Sequence, residues 1–140
     1  MTVVDASIVV DWVAPGASPT SAAMATLARL SGGGDDLTAP RLLREEVSNA
    51  LLTGIRRQRW SGAEADRAYQ RLRVLPVRLV DDLRDLNRAW DLSRRYDNHP
   101  VCDMLYVAVA ERTRSVLVTA DEQLRSLLAG LAWVVGPDED

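Results

Sequence analysis

At 140 residues and 15.4 kDa the chain has the size of one domain and can bury roughly two-thirds of its surface. Hydrophobic residues make up 47% and charged residues 26%. No apolar run reaches the roughly 18 residues of a bilayer span. A net charge of -3 and a pI near 5.2 weigh against a simple charge-driven nucleic-acid binder, and the single cysteine, Cys102, excludes an internal disulfide and a cysteine-based metal site.

The N-terminal apolar stretch has no basic region ahead of it and is interrupted by Asp5 and Asp11. No secretory signal is expected, and the expected location is cytoplasmic. Residues 2–5 read as a fully buried strand. Residues 7–13 begin a short helix that stops before Pro15, and 20–31 form a second, ended by Gly32-Gly33-Gly34. Leu37-Thr38-Ala39 is a short strand. A helix runs from Pro40 to about Arg57, with Leu43, Val47, Ala50 and Leu51 on one face. Ser61-Gly62-Ala63-Glu64 is a capping box that opens a helix to about Val74. Pro76 to Val80 alternates as a strand, and Asp82 to Tyr96 is helical. Val101 to Thr113 is apolar on nearly every side and reads as a buried helix. Residues 115–119 form a strand, 121–129 a helix and 132–135 a last strand. Pro137-Asp138-Glu139-Asp140 reads as a frayed tail. Strands alternating with helices imply an α/β sandwich with a central, mainly parallel sheet, as one domain over 1–140.

Four carboxylates stand where such a fold gathers them. Asp5 ends the first strand and Asp121 follows the strand Val116 to Ala120, and sites in open parallel sheets form beyond the carboxyl ends of strands. Each aspartate also suits a helix N-cap. Asp103 lies in the first turn of the buried helix, where an anion is well tolerated. Glu46 and Glu45 are adjacent on one helix; Glu46 is nearer the apolar edge, and periodicity decides weakly between them. Clustered carboxylates repel one another unless a cation neutralises them, and hard oxygen donors favour Mg²⁺ or Mn²⁺. Such a site can activate water against a phosphodiester, and this chemistry needs no histidine, cysteine or lysine.

These segments carry a resemblance. Val3-Val4-Asp5-Ala6-Ser7, Glu46-Val47-Ser48-Asn49-Ala50-Leu51, Cys102-Asp103-Met104-Leu105-Tyr106-Val107-Ala108-Val109-Ala110-Glu111 and Leu117-Val118-Thr119-Ala120-Asp121 resemble, in order and over nearly the whole chain, the PIN-domain ribonucleases, and among them the VapC-like toxins of toxin–antitoxin pairs. The resemblance implies a PIN-like α/β/α sandwich and a Mg²⁺- or Mn²⁺-dependent endoribonuclease. It implies that Asp5, Glu46, Asp103 and Asp121 form the metal-binding, catalytic quartet, which decides for Glu46 over Glu45. Ser7 and Thr119 would be supporting hydroxyls. The implied partners are an RNA substrate, a cognate antitoxin and a second copy in a homodimer, assembling with the antitoxin into a heterotetramer or larger, with no membrane. The chain departs from the family at Cys102, where many relatives carry an aromatic residue, and at Asp11, where relatives often carry a basic one.

Other residues have plainer readings. His99, the only histidine, reads as a loop residue before a helix, with general-acid or phosphate contact as the sharper option. Asn49, one turn past Glu46, either orients it by a hydrogen bond or is ordinary helix surface. The 17 basic residues are all arginine, and the clusters Arg56, Arg57, Arg59; Arg71, Arg73; and Arg94, Arg95 are either phosphate contacts or a composition bias. Trp12, Trp60, Trp90 and Trp133 read as packing residues, Trp12 and Trp60 being favoured as interface anchors. Two rivals stand beside the nuclease. A phosphotransfer enzyme using Asp5 as nucleophile lacks the expected lysine, and a catalytically inactive PIN-like scaffold would keep the fold without the chemistry.

Overall fold

Why the chain folds as it does is clearest from its first five residues. Thr2, Val3 and Val4 are all buried, and Asp5 turns the chain straight into a helix by accepting the Ile8 N–H. The computed structural model describes residues 1–16, 22–32 and 36–137. The expected stop at Gly33-Gly34 and the expected frayed residues 138–140 lie outside them. In chain order the elements are β1 (Thr2–Val4), α1 (Ala6–Val13), α2 (Ala22–Gly32), β2 (Leu37–Pro40), α3 (Leu43–Arg56), α4 (Gly62–Val74), β3 (Val77–Val80), α5 (Leu83–Arg95), α6 (Val101–Thr113), β4 (Val116–Val118), α7 (Glu122–Leu127) and β5 (Val134–Val135).

The strands form one parallel sheet in the order β3-β2-β1-β4-β5. Parallel crossovers are right-handed, which sends connections to opposite faces when they travel in opposite directions along the sheet. The chain moves one way from β1 to β3 and the other way from β3 to β5, so α1–α4 cover one face and α5–α7 the other. The packing agrees: α1 rests on α2, α3 and α4, while α6 lies on α5 and directly against β1, β2 and β4. This is the α/β/α sandwich expected.

The core runs through both layers. Val3, Val4 and Ala39 of the sheet, Ile8 and Val9 of α1, and Met104 and Val107 of α6 have no exposed surface. Residues Tyr106 to Ala110 are at most 2% exposed, so the middle of α6 is buried on every side as read, while Cys102, Glu111 and Arg112 toward its ends are exposed. Each fully buried Val, Leu or Met contributes about 1.5–3 kcal/mol, enough to fix the helix that carries Asp103. A smaller cluster of Leu51, Ala65 and Ala68, flanked by Ile55 and Trp60, joins α3 to α4. The capping box is present with both of its hydrogen bonds.

One boundary differs from expectation. Pro40 ends β2 and α3 begins only at Leu43. Pro40 faces Val80 in the ladder, and the Arg41 N–H continues it by donating to Val80 O at 2.9 Å. Proline's missing donor is tolerated at the end of a strand. No helix among the described residues is long and apolar enough to cross a membrane.

Candidate active site

Outgoing connections from β1 and β4 lead to opposite edges of the sheet, so the crevice beyond their carboxyl ends is the topological switch point. Asp5 and Asp121 stand there. The Asp5 N–H donates to Val118 O at 3.3 Å, which extends the pairing of the two strands into the site. Asp5 is 6% exposed; its Oδ1 accepts from the Ser7 hydroxyl at 2.6 Å and from the Ile8 N–H at 3.2 Å. Ser7 Oγ also accepts the Ala120 N–H at 3.0 Å and lies 3.3 Å from Thr119 Oγ1. Thr119 Oγ1 in turn accepts the Asp121 N–H at 3.0 Å, and Asp121 Oδ1 caps α7 by accepting the Leu124 N–H at 3.1 Å. Ser7 and Thr119 thus knot the ends of two strands that are distant in sequence. Asp5 and Asp121 are N-caps as well as site acids: each uses Oδ1 as a cap.

Burial pushes the Asp5 carboxyl up to about 6, against the hydrogen bonds from Ser7, Thr119 and Ile8, and the Asp121 charge pushes the same way. The other two acids form a second pair. Glu46 is half-buried on α3, and its Oε1 accepts the Tyr106 hydroxyl at 2.6 Å. Burial raises the Glu46 carboxyl, the Tyr106 bond opposes this, and the Asp103 charge adds to it. Asp103 Oδ2 lies 2.6 Å from His99 Nε2. Tyr106 feels the charge of both pairs and is bonded to one of them. Burial first, then its bond to Glu46, then the charges of Glu46, Asp5 and Asp103 hold its hydroxyl far above the usual phenol range.

The structure therefore places Asp5, Asp121, Ser7 and Thr119 in one hydrogen-bonded knot, and Glu46 and Asp103 in a neighbouring pair. Glu45 points elsewhere: it is exposed and reaches Arg41 at 3.7 Å. Asn49 is not brought to Glu46. It is exposed and lines the cleft between α3 and α4 with Arg44, Ser48 and Tyr69. The donor that holds Glu46 comes from α6 instead. Tyr106 was missed by sequence reading, although it lies one helical turn after Asp103, where side chains share a face. His99 is more than a loop residue. Asp97 and Asn98 both adopt left-handed backbone, which short polar residues tolerate, and deliver His99 onto Asp103. Cys102 is exposed, and burial, Glu46 and Asp103 all push its thiol upward, which keeps it protonated. Asp11 is exposed.

The tryptophans reverse the expected ranking. Trp12 is core, and Trp60 folds back onto α3, its Nε1–H donating to Leu51 O at 2.9 Å. Trp90 is the exposed one, at 64%, beside Leu83 and Leu86 on α5.

Among the described residues no three acid, histidine or cysteine side chains converge closely enough to hold a metal together. The donor chemistry nonetheless fits a hard divalent cation. All four groups are carboxylates, Asp5 is desolvated, and each pair carries mutual repulsion that a cation would relieve. Mg²⁺ keeps several waters and binds proteins through one or two carboxylates, so paired acids suffice. The second oxygens of Glu46, Asp103 and Asp121 make no hydrogen bond to protein among the described residues.

With this geometry in view, the PIN-domain profile matches residues 2–128. The chain belongs to the PIN-domain family. Within that family it is VapC-like: it is 38% identical over 122 residues to Ribonuclease VapC3 of Mycobacterium tuberculosis, covering 87% of this chain and 83% of that one. Two solved structures share the PIN fold. A toxin–antitoxin complex from Klebsiella pneumoniae superposes with a TM-score of 0.67 at 18% identity, over 100% of both chains. VapC20 of Mycobacterium tuberculosis, described as a sarcin-ricin loop cleaving toxin, superposes with a TM-score of 0.63 at 18% identity, over 96% of this chain and 98% of that one. The PIN domain's switch-point crevice is the place where these acids gather.

Proposed function

We propose that this chain, as a single PIN unit over 1–140, is a cytoplasmic endoribonuclease and the toxin of a toxin–antitoxin pair. The observation that carries the reading is the knot joining Asp5 to Asp121 at the sheet's switch point, in a VapC-like PIN domain. Support for the substrate and the partner comes from the relatives: one is named a ribonuclease and one structure is a toxin–antitoxin complex. RNA and a cognate antitoxin are accordingly the proposed partners, with a homodimer as the proposed assembly.

Asp5, Asp121, Asp103 and Glu46 would hold Mg²⁺ or Mn²⁺. When bound, the cation supplies a more acidic water and neutralises charge on the scissile phosphate. The protein's own residues do the rest. Ser7 engages one oxygen of Asp5, Thr119 holds the Asp121 backbone N–H, and the Leu124 N–H engages one oxygen of Asp121. His99 fixes Asp103 in the same way. Glu46, whose carboxyl is raised by burial, would accept the proton of the attacking water at Oε2; as water adds to phosphorus the bond to the ribose oxygen breaks, and that oxygen would take a proton from solvent.

The test is cleavage of a structured RNA pool by antitoxin-free protein with Mg²⁺, Mn²⁺ or EDTA, beside Asp5→Asn and Asp103→Asn. Cleavage that needs metal and both aspartates is expected. Undiminished cleavage in both variants would sink the reading. The inactive scaffold is favoured by one observation, the absence of a three-acid convergence among the described residues. A folded protein that binds no Mn²⁺ and cuts no RNA would establish it.

A further inference from the structure

Tyr106 is a large side chain buried to 2% exposure, and a buried tyrosine hydroxyl needs a partner. Its partner is Glu46 Oε1, at 2.6 Å, within the roughly 2.5–2.7 Å range of a hydroxyl donating to a charged carboxylate. The bond joins two helices from opposite faces of the sheet, α3 and α6, across the end of the crevice. The Glu46 side chain makes no other hydrogen bond among the described residues. Its neighbours on α3 show where it would otherwise go: Glu45 and Asn49 are both exposed. A glutamate loses roughly 1.5–2 kcal/mol of rotamer freedom when fixed, and the Tyr106 hydrogen bond offsets that loss for Glu46.

We propose that Tyr106 is the positioning residue of this site: its buried hydroxyl engages Glu46 Oε1 and leaves Oε2 as the single oxygen presented to the cation and the attacking water. The inference rests on the nuclease reading and adds to it a residue outside the acid quartet. Tyr106 acts through Glu46 and touches neither RNA nor water itself. The ring fills the core, and the hydroxyl performs the positioning. The two roles are therefore separable by Tyr106→Phe, which keeps the ring.

The experiment uses the whole chain and compares wild type, Tyr106→Phe, Glu46→Gln and the double variant. Mn²⁺ binding is read by calorimetry without RNA; kcat and KM are read on a cleaved RNA. Loss of an outer-shell partner typically weakens metal affinity or activity about 10- to 100-fold. Tyr106→Phe is expected to weaken Mn²⁺ binding and lower kcat by such a factor, with KM for RNA unchanged. In the Glu46→Gln background the same change should add little, because the hydroxyl then has no carboxylate to direct. Glu46→Asp, which withdraws the carboxylate without touching the core, should reproduce the loss even if Tyr106→Phe folds poorly. Wild-type Mn²⁺ affinity and kcat in Tyr106→Phe, with both lost in Glu46→Gln, would overturn this proposal and leave the nuclease standing. A loss that simply adds to that of Glu46→Gln would overturn it too. A wild type that neither binds Mn²⁺ nor cleaves RNA removes both readings together.

Discussion

The Ser7 hydroxyl donates to Asp5 Oδ1 at 2.6 Å and in the same position accepts the Ala120 N–H at 3.0 Å. One small side chain therefore serves the first strand's acid and the fourth strand's exit. Ser7→Ala leaves the Ala120 amide without its acceptor and Asp5 without its nearest donor. A stranded amide in a buried setting costs about 1–3 kcal/mol. Urea titration should show a loss of that size, and RNA cleavage should fall as Asp5 and Asp121 lose their common brace. Ser7→Thr, which keeps the hydroxyl, should lose much less activity.

Asp5 makes the metal-free fold depend on pH. Its carboxyl ordinarily titrates near 3.8 and is raised to about 6 in the folded protein, chiefly by burial. The folded state thus holds the proton more tightly than the unfolded state. The stabilising effect of that proton is full below about pH 4 and is lost as pH rises through about 6. Each ten-fold in proton affinity is about 1.4 kcal/mol, so ionised Asp5 costs the fold about 3 kcal/mol at pH 8. In EDTA, Asp5→Asn should be more stable than wild type at pH 8 and equal to it near pH 4. Melting curves across that range measure this. A constant difference between the two proteins would contradict it.

Two arginine–carboxylate pairs brace α5 against α6, and their burial separates their worth. Arg112 meets Asp85 through Nε at 2.7 Å and Nη2 at 2.8 Å, and the Asp85 side chain is 6% exposed. Arg88 meets Glu111 at 2.7 and 3.0 Å, but those side chains are 33% and 41% exposed. Arg112→Ala strands a buried charge and should cost about 3–5 kcal/mol. Arg88→Ala should cost no more than about 1 kcal/mol. Denaturant midpoints of the two variants should therefore separate clearly; equal losses would refute the distinction.

Gly54 is a contact position. A Cβ placed there would overlap the Trp60 ring, which lies across α3 with its Nε1–H on Leu51 O. Overpacking of this kind typically costs about 1–3 kcal/mol. Gly54→Ala should show that loss by urea titration, even though alanine is the better helix former. Adding Trp60→Ala should relieve the overlap, so the two losses should sum to less than their separate values.

Much of this architecture was legible because local chemistry and tertiary need coincide. The Ser61 box, the strand of Thr2 to Val4 and the evenly apolar α6 each state one structure from their own residues. Asp5 and Asp121 were legible for a related reason: each ends a buried strand, and each is a helix cap whether or not it does chemistry. Pro40 was misplaced into a helix because proline suits a first helical turn as well as a strand's end, and only the ladder to Val80 decides. What stayed hidden was the partner that each of Glu46 and Asp103 takes from outside the quartet. Nothing in Glu46's own helix announces Tyr106, and Asn49, one turn on, could be read from sequence as a partner of Glu46 or as plain helix surface. His99 needed the left-handed turn at Asp97 and Asn98 before it could reach Asp103. Trp90 shows the same limit: exposure belongs to the packed surface, and α5 reveals its free side only after α6 has covered the other.

The parallel sheet also imposes an order of birth. β1 occupies the middle of the sheet, yet one of its two neighbours is β4, more than a hundred residues later in the chain. A nascent chain can form α3 and α4 early, since those contacts are local, but β1 waits for the partner that completes it. Asp5 meets Asp121 only once Val116–Val118 has emerged and docked. The knot needs β4, so a chain cut short before β4 has none. More than a hundred residues must therefore be made before the two acids can share one brace.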